Sequence, residues 1–138
     1  MKDIRIVIDT NVWIFAILQT DNFSRKIIHH LDLLNTTIPN QVRAELQDNL
    51  GAVQVKEFHQ LINKHSIEID FHRITVSRIS AYEQKGLKKG DAEIAAYCEW
   101  QNINILVSDN RDFLRGLVAS HPFRVLSPKE FCLEFDLQ

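Results

Sequence analysis

Ile4-Arg5-Ile6-Val7-Ile8-Asp9-Thr10-Asn11-Val12-Trp13-Ile14 is the stretch that decides the fold. Its first five residues, mostly β-branched, read as a strand. Asp9-Thr10-Asn11 breaks the run, and apolar residues resume from Val12 to Ala16 as a helix. The same change from short β-branched run to longer helical pattern recurs along the chain, which is the mark of an α/β domain with a mostly parallel sheet.

Downstream, Arg25 to Leu34 reads as a helix with Ile27, Ile28, Leu31 and Leu34 on one face. Thr36-Thr37-Ile38 is a short strand stopped by Pro39. Asn40 suits the N-cap of a helix through Val42, Leu46 and Leu50, with Gly51 as its terminator. A further helix is expected from Val53 to Lys64, a strand at Ile67 to Ile69 and a helix from Val76 to Gln84. After the Gly86 to Gly90 loop, Asp91 opens a helix from Ala92 to about Gln101 with Ile94, Ala95 and Cys98 as its stripe. Ile103 to Val107 is a buried strand, and a helix follows Ser108 to Asp112. Arg124-Val125-Leu126 is the last strand, and Ser127-Pro128 starts a helix from Lys129 to Phe135. With no repeat or linker, residues 1–138 are expected to form one domain.

Composition narrows the class. The chain is 45% hydrophobic and 25% charged, which excludes the core-poor mix that stays disordered. A net charge of −2 makes no case for a protein that coats nucleic acid by charge. Cys98 and Cys132 cannot build a disulfide framework and lack metal spacing, so a reducing, cytoplasmic setting is expected. Val12 to Leu18 is the longest apolar run, short of the roughly 18 residues of a membrane span. Asp9 and Asn11 interrupt the apolar start, so it reads as mature structure and not as a signal sequence.

In open parallel sheets, ligands bind outside the carboxyl ends of the strands. Asp9 follows the first strand, Asp109 and Asp112 follow the Ile103 to Val107 strand, Asp91 opens the helix leading into it, and Glu45 lies one turn beyond Pro39. A lone Asp at such a position is ordinarily a cap, and a lone Glu on a helix is ordinarily solvated. Asp9 is harder to explain that way, because it interrupts an apolar stretch where an unpaired carboxylate is costly. Five acids facing one edge suit a hard divalent cation. Without one, they raise each other's pKa.

These residues resemble the PIN domain family over nearly the whole chain. Ile6-Val7-Ile8-Asp9-Thr10-Asn11-Val12-Trp13-Ile14 is similar to the family's first motif, and Ile38-Pro39-Asn40-Gln41-Val42 with Glu45-Leu46 to its second. Gly90-Asp91-Ala92-Glu93-Ile94-Ala95-Ala96 resembles the third, and Ile105-Leu106-Val107-Ser108 through Asp112-Phe113 the fourth. The resemblance implies a Rossmann-like three-layer sandwich, a mostly parallel central sheet with helices on both faces. It also implies an acidic Mg²⁺ or Mn²⁺ site and endonuclease activity on single-stranded RNA, in small members often as the VapC-type toxin of a toxin–antitoxin pair.

By this match Asp9, Glu45, Asp91 and Asp112 take the catalytic, metal-binding positions. Asp9 and Asp91 are the principal ligands, Glu45 a ligand or water-orienting base, and Asp112 a ligand or supporting acid. The fourth motif departs from the pattern, because Asn110 stands where an acid is common; Asp109, one position earlier, is the acid that a rearranged loop would bring to the metal. Thr10, Asn11, Ser108 and Asn110 are placed to orient the carboxylates. Arg111 and Lys89 are the candidate phosphate contacts, with Lys85, Lys88 and Arg115 close by. The six histidines show no zinc spacing.

Two other classes compete. A catalytically weak metal and nucleic-acid binding module would treat Asn110 as damage. A phosphoryl-transfer enzyme using Asp9 would need a second Asp at position 11, which is Asn. The apolar first helix, with Trp13 and Phe15, reads as core, with a homodimer or antitoxin surface as its other use.

Overall fold

The computed structural model describes residues 2–110, 113 and 122–138. In chain order its elements are β1 (Arg5–Ile8), α1 (Thr10–Ile17), α2 (Asn22–His29), a 3-10 turn at Leu31–Leu33, β2 (Asn35–Thr36) and β3 (Ile38–Pro39). They continue as α3 (Asn40–Asn49), α4 (Ala52–Lys64), β4 (Ile69–Asp70), α5 (Val76–Glu83), α6 (Lys89–Trp100), β5 (Ile105–Val107), β6 (Arg124–Leu126) and α7 (Pro128–Glu134).

Four strands form a parallel sheet in the order β2-β1-β5-β6, flanked by helices. The register of the central pair sets Ile6 beside Ile105, Val7 beside Leu106 and Ile8 beside Val107. All six are buried, because helices cover the sheet and leave no face for a polar alternation. Each such side chain contributes about 1.5–3 kcal/mol of burial. The chain steps from β1 outward to β2 on one side and returns to lay β5 on the other. The gap between the carboxyl ends of β1 and β5 is therefore the topological switch point, where open α/β sheets bind their ligands.

β3 pairs in parallel with β4, Ile38 beside Ile69 and Pro39 beside Asp70. The Thr37 N–H donates to the Ile6 carbonyl at 3.1 Å and joins this short ribbon to β1. Pro39 thus lies within a strand, where a stop was expected. Proline is tolerated at a strand end because the ladder there does not need its missing N–H.

Several boundaries move. The Arg25 to Leu34 helix begins at Asn22, because the Asp21 carboxylate accepts from the Ser24 N–H at 2.9 Å and caps it, and it breaks at His30. Asn40 is the first helical residue and not the cap, which falls at Pro39. Gly51 does not end α3. Leu50 turns extended first, and Gly51 becomes the N-cap of α4. α6 starts at Lys89, so Asp91 lies inside its first turn, a favourable place for an acid beside the exposed helical N–H groups.

Trp13 is wholly buried edge-on against Phe58, ring centroids 5.2 Å apart, so the inner face of α1 serves the core. Phe15 and Ile17 are half-buried and Leu18 is exposed. Among the described residues no helix is long and apolar enough to cross a membrane.

Candidate active site at the carboxyl edge of the sheet

Asp9 sits directly beyond β1 as the N-cap of α1, buried to 4% exposure. One carboxylate oxygen accepts from the Thr10 N–H at 2.8 Å and the other from the Ser108 hydroxyl at 2.7 Å. Ser108 stands at the end of β5 and itself accepts from the Asn110 N–H at 3.0 Å. The two central strands are therefore clasped at their ends through one serine.

Glu45 reaches the same place from α3. It accepts from the Thr10 hydroxyl at 2.5 Å and from the Gln41 amide, one helical turn earlier, at 2.8 Å. Asp91 arrives on the first turn of α6 and accepts from the Asn110 side-chain amide at 2.9 Å. Helix α6 can come this close because residue 90 is glycine. A Cβ there would lie 2.7 Å from Glu45 Oε2 and 3.2 Å from Gln41 Nε2.

The electrostatics follow from the convergence. Burial is the largest influence on Asp9; it outweighs the lowering by its Ser108 and Thr10 hydrogen bonds, and the charges of Asp91 and Glu45 add to it. The Asp9 pKa rises from 3.8 to about 6. Glu93, one turn beyond Lys89, is also raised, chiefly by burial and further by Glu45, while the Lys89 ammonium pulls it back. Neither Asp9 nor Glu45 forms a salt bridge among the described residues.

Asp9, Glu45, Asp91, Thr10, Ser108 and Asn110 are thus joined by hydrogen bonds or by charge. Lys89 is exposed at the rim. Asp109 and Asn11 are also exposed, and no hydrogen bond ties either to these acids among the described residues. Asp112 and Arg111, with Arg115, lie outside the described residues. Lys85 is engaged elsewhere, its ammonium 4.6 Å from the Tyr82 ring centre.

Sequence reading missed three neighbours of the acids. Gln41 had a signal, a polar side chain four residues before Glu45 on one helix. Gly90 had one too, a glycine in the turn before an acid. Glu93, a member of the third motif, had no signal of its own, and it is the packing of α6 against α3 that brings it under the influence of Glu45.

Among the described residues no group of three or more His, Cys, Asp or Glu side chains is set closely enough to hold a metal ion. The fit to a hard divalent cation rests instead on donor chemistry: carboxylate oxygens from three elements, oriented by Thr10, Ser108, Gln41 and Asn110, with Asp9 raised in part by its acidic neighbours.

A parallel α/β sheet with one buried and two half-buried acids at its switch point defines the class, and comparison with known proteins places the chain within it. The PIN domain family model matches residues 6–116, and the chain belongs to that family. PIN domains are generally nucleases that use divalent metal ions. The fold is shared with the crystal structure of PAE2754 from Pyrobaculum aerophilum, 15% identical over 98% of this chain and 97% of that one, at a TM-score of 0.63. It is shared also with VapBC2 from Rickettsia felis, a structure bound to a DNA fragment from their promoter. That match is 18% identical over 90% of this chain and 98% of that one, at a TM-score of 0.59. No curated protein matches the chain.

Proposed function

We propose that this protein is a metal-dependent endoribonuclease that hydrolyses phosphodiester bonds of single-stranded RNA, acting in the cytoplasm as the toxin of a type II toxin–antitoxin pair. The observation that supports this reading is the convergence of Asp9, Glu45 and Asp91 on the carboxyl edge of β1 and β5. One of them is held at a pKa of about 6 by burial and by the charge of the other two.

Asp9 and Asp91 would hold Mg²⁺ or Mn²⁺, with Glu45 beside them and Asp112 as the fourth acid. The bound ion would supply a more acidic water and neutralise charge on the scissile phosphate. The chain's own task is placement. Ser108 and the Thr10 N–H keep the Asp9 carboxylate fixed, Thr10 and Gln41 fix Glu45, and Asn110 turns Asp91 inward. Arg111 and Lys89 would meet flanking phosphates. The cognate partner would be an antitoxin protein.

The test incubates the purified protein with single-stranded RNA and Mg²⁺ or Mn²⁺. Cleavage is expected to stop with EDTA and with Asp9→Asn. Cleavage that survives both refutes the metal mechanism, and binding of RNA and Mn²⁺ with no cleavage refutes the enzyme in favour of a binding module.

A further inference from the structure

A groove of about 800 Å³ opens beside the sheet, within the roughly 300–1,000 Å³ range of small-ligand sites. It shares His72 and Tyr97 with a smaller pocket lined also by Gln41 and Glu93, the neighbours of Glu45, so the two adjoin along one flank of the molecule. Helix α6 gives their length. Glu93 lies near the acids, Tyr97 midway, and Gln101, just beyond the helix, accepts from the Arg5 guanidinium at the far end. At about 1.5 Å per residue, eight residues span about 12 Å.

The walls are polar and aromatic. Asp70 holds the middle, accepting from the Tyr97 hydroxyl at 2.9 Å and from the His72 ring and N–H at 2.7 and 3.0 Å. Thr36 also lines the groove, buried, with its hydroxyl unpartnered among the described residues. At the lip, Phe71 is 64% exposed, with the Arg43 guanidinium 5.6 Å from the centre of its ring. An exposed ring backed by arginine is a stacking platform for a base.

From this geometry we infer that the groove is a nucleotide subsite for the substrate strand, in which an unpaired base flanking the scissile phosphate stacks on Phe71 and its sugar and base edges meet the polar groups around Asp70 and Thr36. The inference rests on the ribonuclease reading, since it is the nearness of the groove to Gln41 and Glu93, beside Glu45, that makes the occupant the RNA strand. A helix of a protein partner would need an apolar floor, and among the groove's lining residues only Ile69 and Phe71 are wholly apolar. Arg5 and Arg73 line the two pockets together with Glu68, Asp70 and Glu93, and Arg43 lies beside Phe71, so the charges nearly balance. Recognition therefore comes from stacking and hydrogen bonds, with a shallow salt dependence.

Trp100 reports on the groove, its ring 5.5 Å from that of His72, whereas Trp13 is sealed in the core. A six-nucleotide all-adenosine RNA titrated into the protein in EDTA is expected to quench Trp100. Phe71→Ala should weaken that binding on the order of ten-fold, and Phe71→Tyr should keep it. In cleavage assays Phe71→Ala should raise KM by the same factor and leave kcat unchanged. Unaltered binding and KM in Phe71→Ala overturn the inference, as does an unquenched Trp100 in a protein that cleaves RNA, or a protein partner that occupies the groove while RNA does not. A wild-type protein that cleaves nothing fails the ribonuclease reading alone, and the EDTA titration still decides the groove.

Discussion

Gly90→Ala tests whether the placement of Glu45 matters, because one methyl group meets that carboxylate and the Gln41 amide that holds it. The added Cβ would lie 2.7 Å from Glu45 Oε2, where ordinary contact begins at 3.4 Å, so the carboxylate must retreat by about 0.7 Å. It is pinned by Thr10 at 2.5 Å and by Gln41 at 2.8 Å, and a retreat of that size stretches the Gln41 bond, made to the oxygen that the methyl meets, to as much as about 3.5 Å, where it is weak. Losing a hydrogen bond to a charged group costs about 1.5–3 kcal/mol where the group stays buried, and less here because Glu45 is half-exposed. Against that, replacing glycine within a helix returns roughly 0.5–1 kcal/mol. The two nearly offset, so the melting temperature is expected to move by only a few degrees. Catalysis does not share in the offset, since a misplacement near 1 Å costs about 10²-fold. Initial rates of RNA cleavage at saturating Mn²⁺, measured beside thermal melts, separate the two effects. A folded Gly90→Ala protein that cleaves at the wild-type rate would refute the argument that Glu45 is held in register for chemistry.

Two further outcomes follow from the charges. Asp9 has a folded pKa of about 6 against 3.8, so the folded state holds its proton more tightly. Its contribution to stability is present below pH 3.8 and is lost as pH rises through 6. At about 1.4 kcal/mol per pH unit the loss is about 3 kcal/mol. Urea denaturation in EDTA at pH 4 and pH 7.5 should show this difference between the wild type and Asp9→Asn, and Mn²⁺ at pH 7.5 should restore stability to the wild type alone; parallel pH dependence in both proteins contradicts it. Asn110→Asp should bring an acid beside Asp91 in place of a donor. Calorimetric titration is expected to show tighter Mn²⁺ binding with lower metal-free stability, and unchanged affinity would mean that residue 110 stays outside the metal's reach.

The parts of this fold that a reader can take from the chain are those whose burial leaves a run of one kind. β5 is a continuous apolar segment, β1 and β6 are apolar after a leading arginine, and the ends of β1 and β5 place Asp9 and Ser108 at the switch point. Helix α4 is equally plain, with Phe58 and Ile62 on its inner face. The two-residue strands β2, β3 and β4 are too short for any period, and they exist because β1 and the β3–β4 ribbon offer edges to pair with. Gly51 misleads because glycine serves both as a helix end and as a helix start, and only the extended Leu50 decides between them. At the site, Asp9, Glu45 and Asp91 stand out in the chain and are brought together by the fold, while Gln41 and Gly90 acquire their places only through the close approach of α3 and α6. The groove was invisible in the chain, since Thr36, Asp70 and Tyr97 meet only after folding.

The balance of charge bears on how such a protein could handle a polyanion. A net charge of −2, with Asp9, Glu45 and Asp91 together at one edge, gives RNA no electrostatic reason to approach that edge. Attraction must be local: a divalent ion held there would cancel two of the three negative charges of Asp9, Glu45 and Asp91, and the proposed groove would add uncharged stacking on Phe71. A strand held in this way is gripped at few phosphates and released easily once cut. That suits repeated cleavage of single strands, and it fails for duplexes, whose paired bases cannot turn outward to reach an aromatic ring.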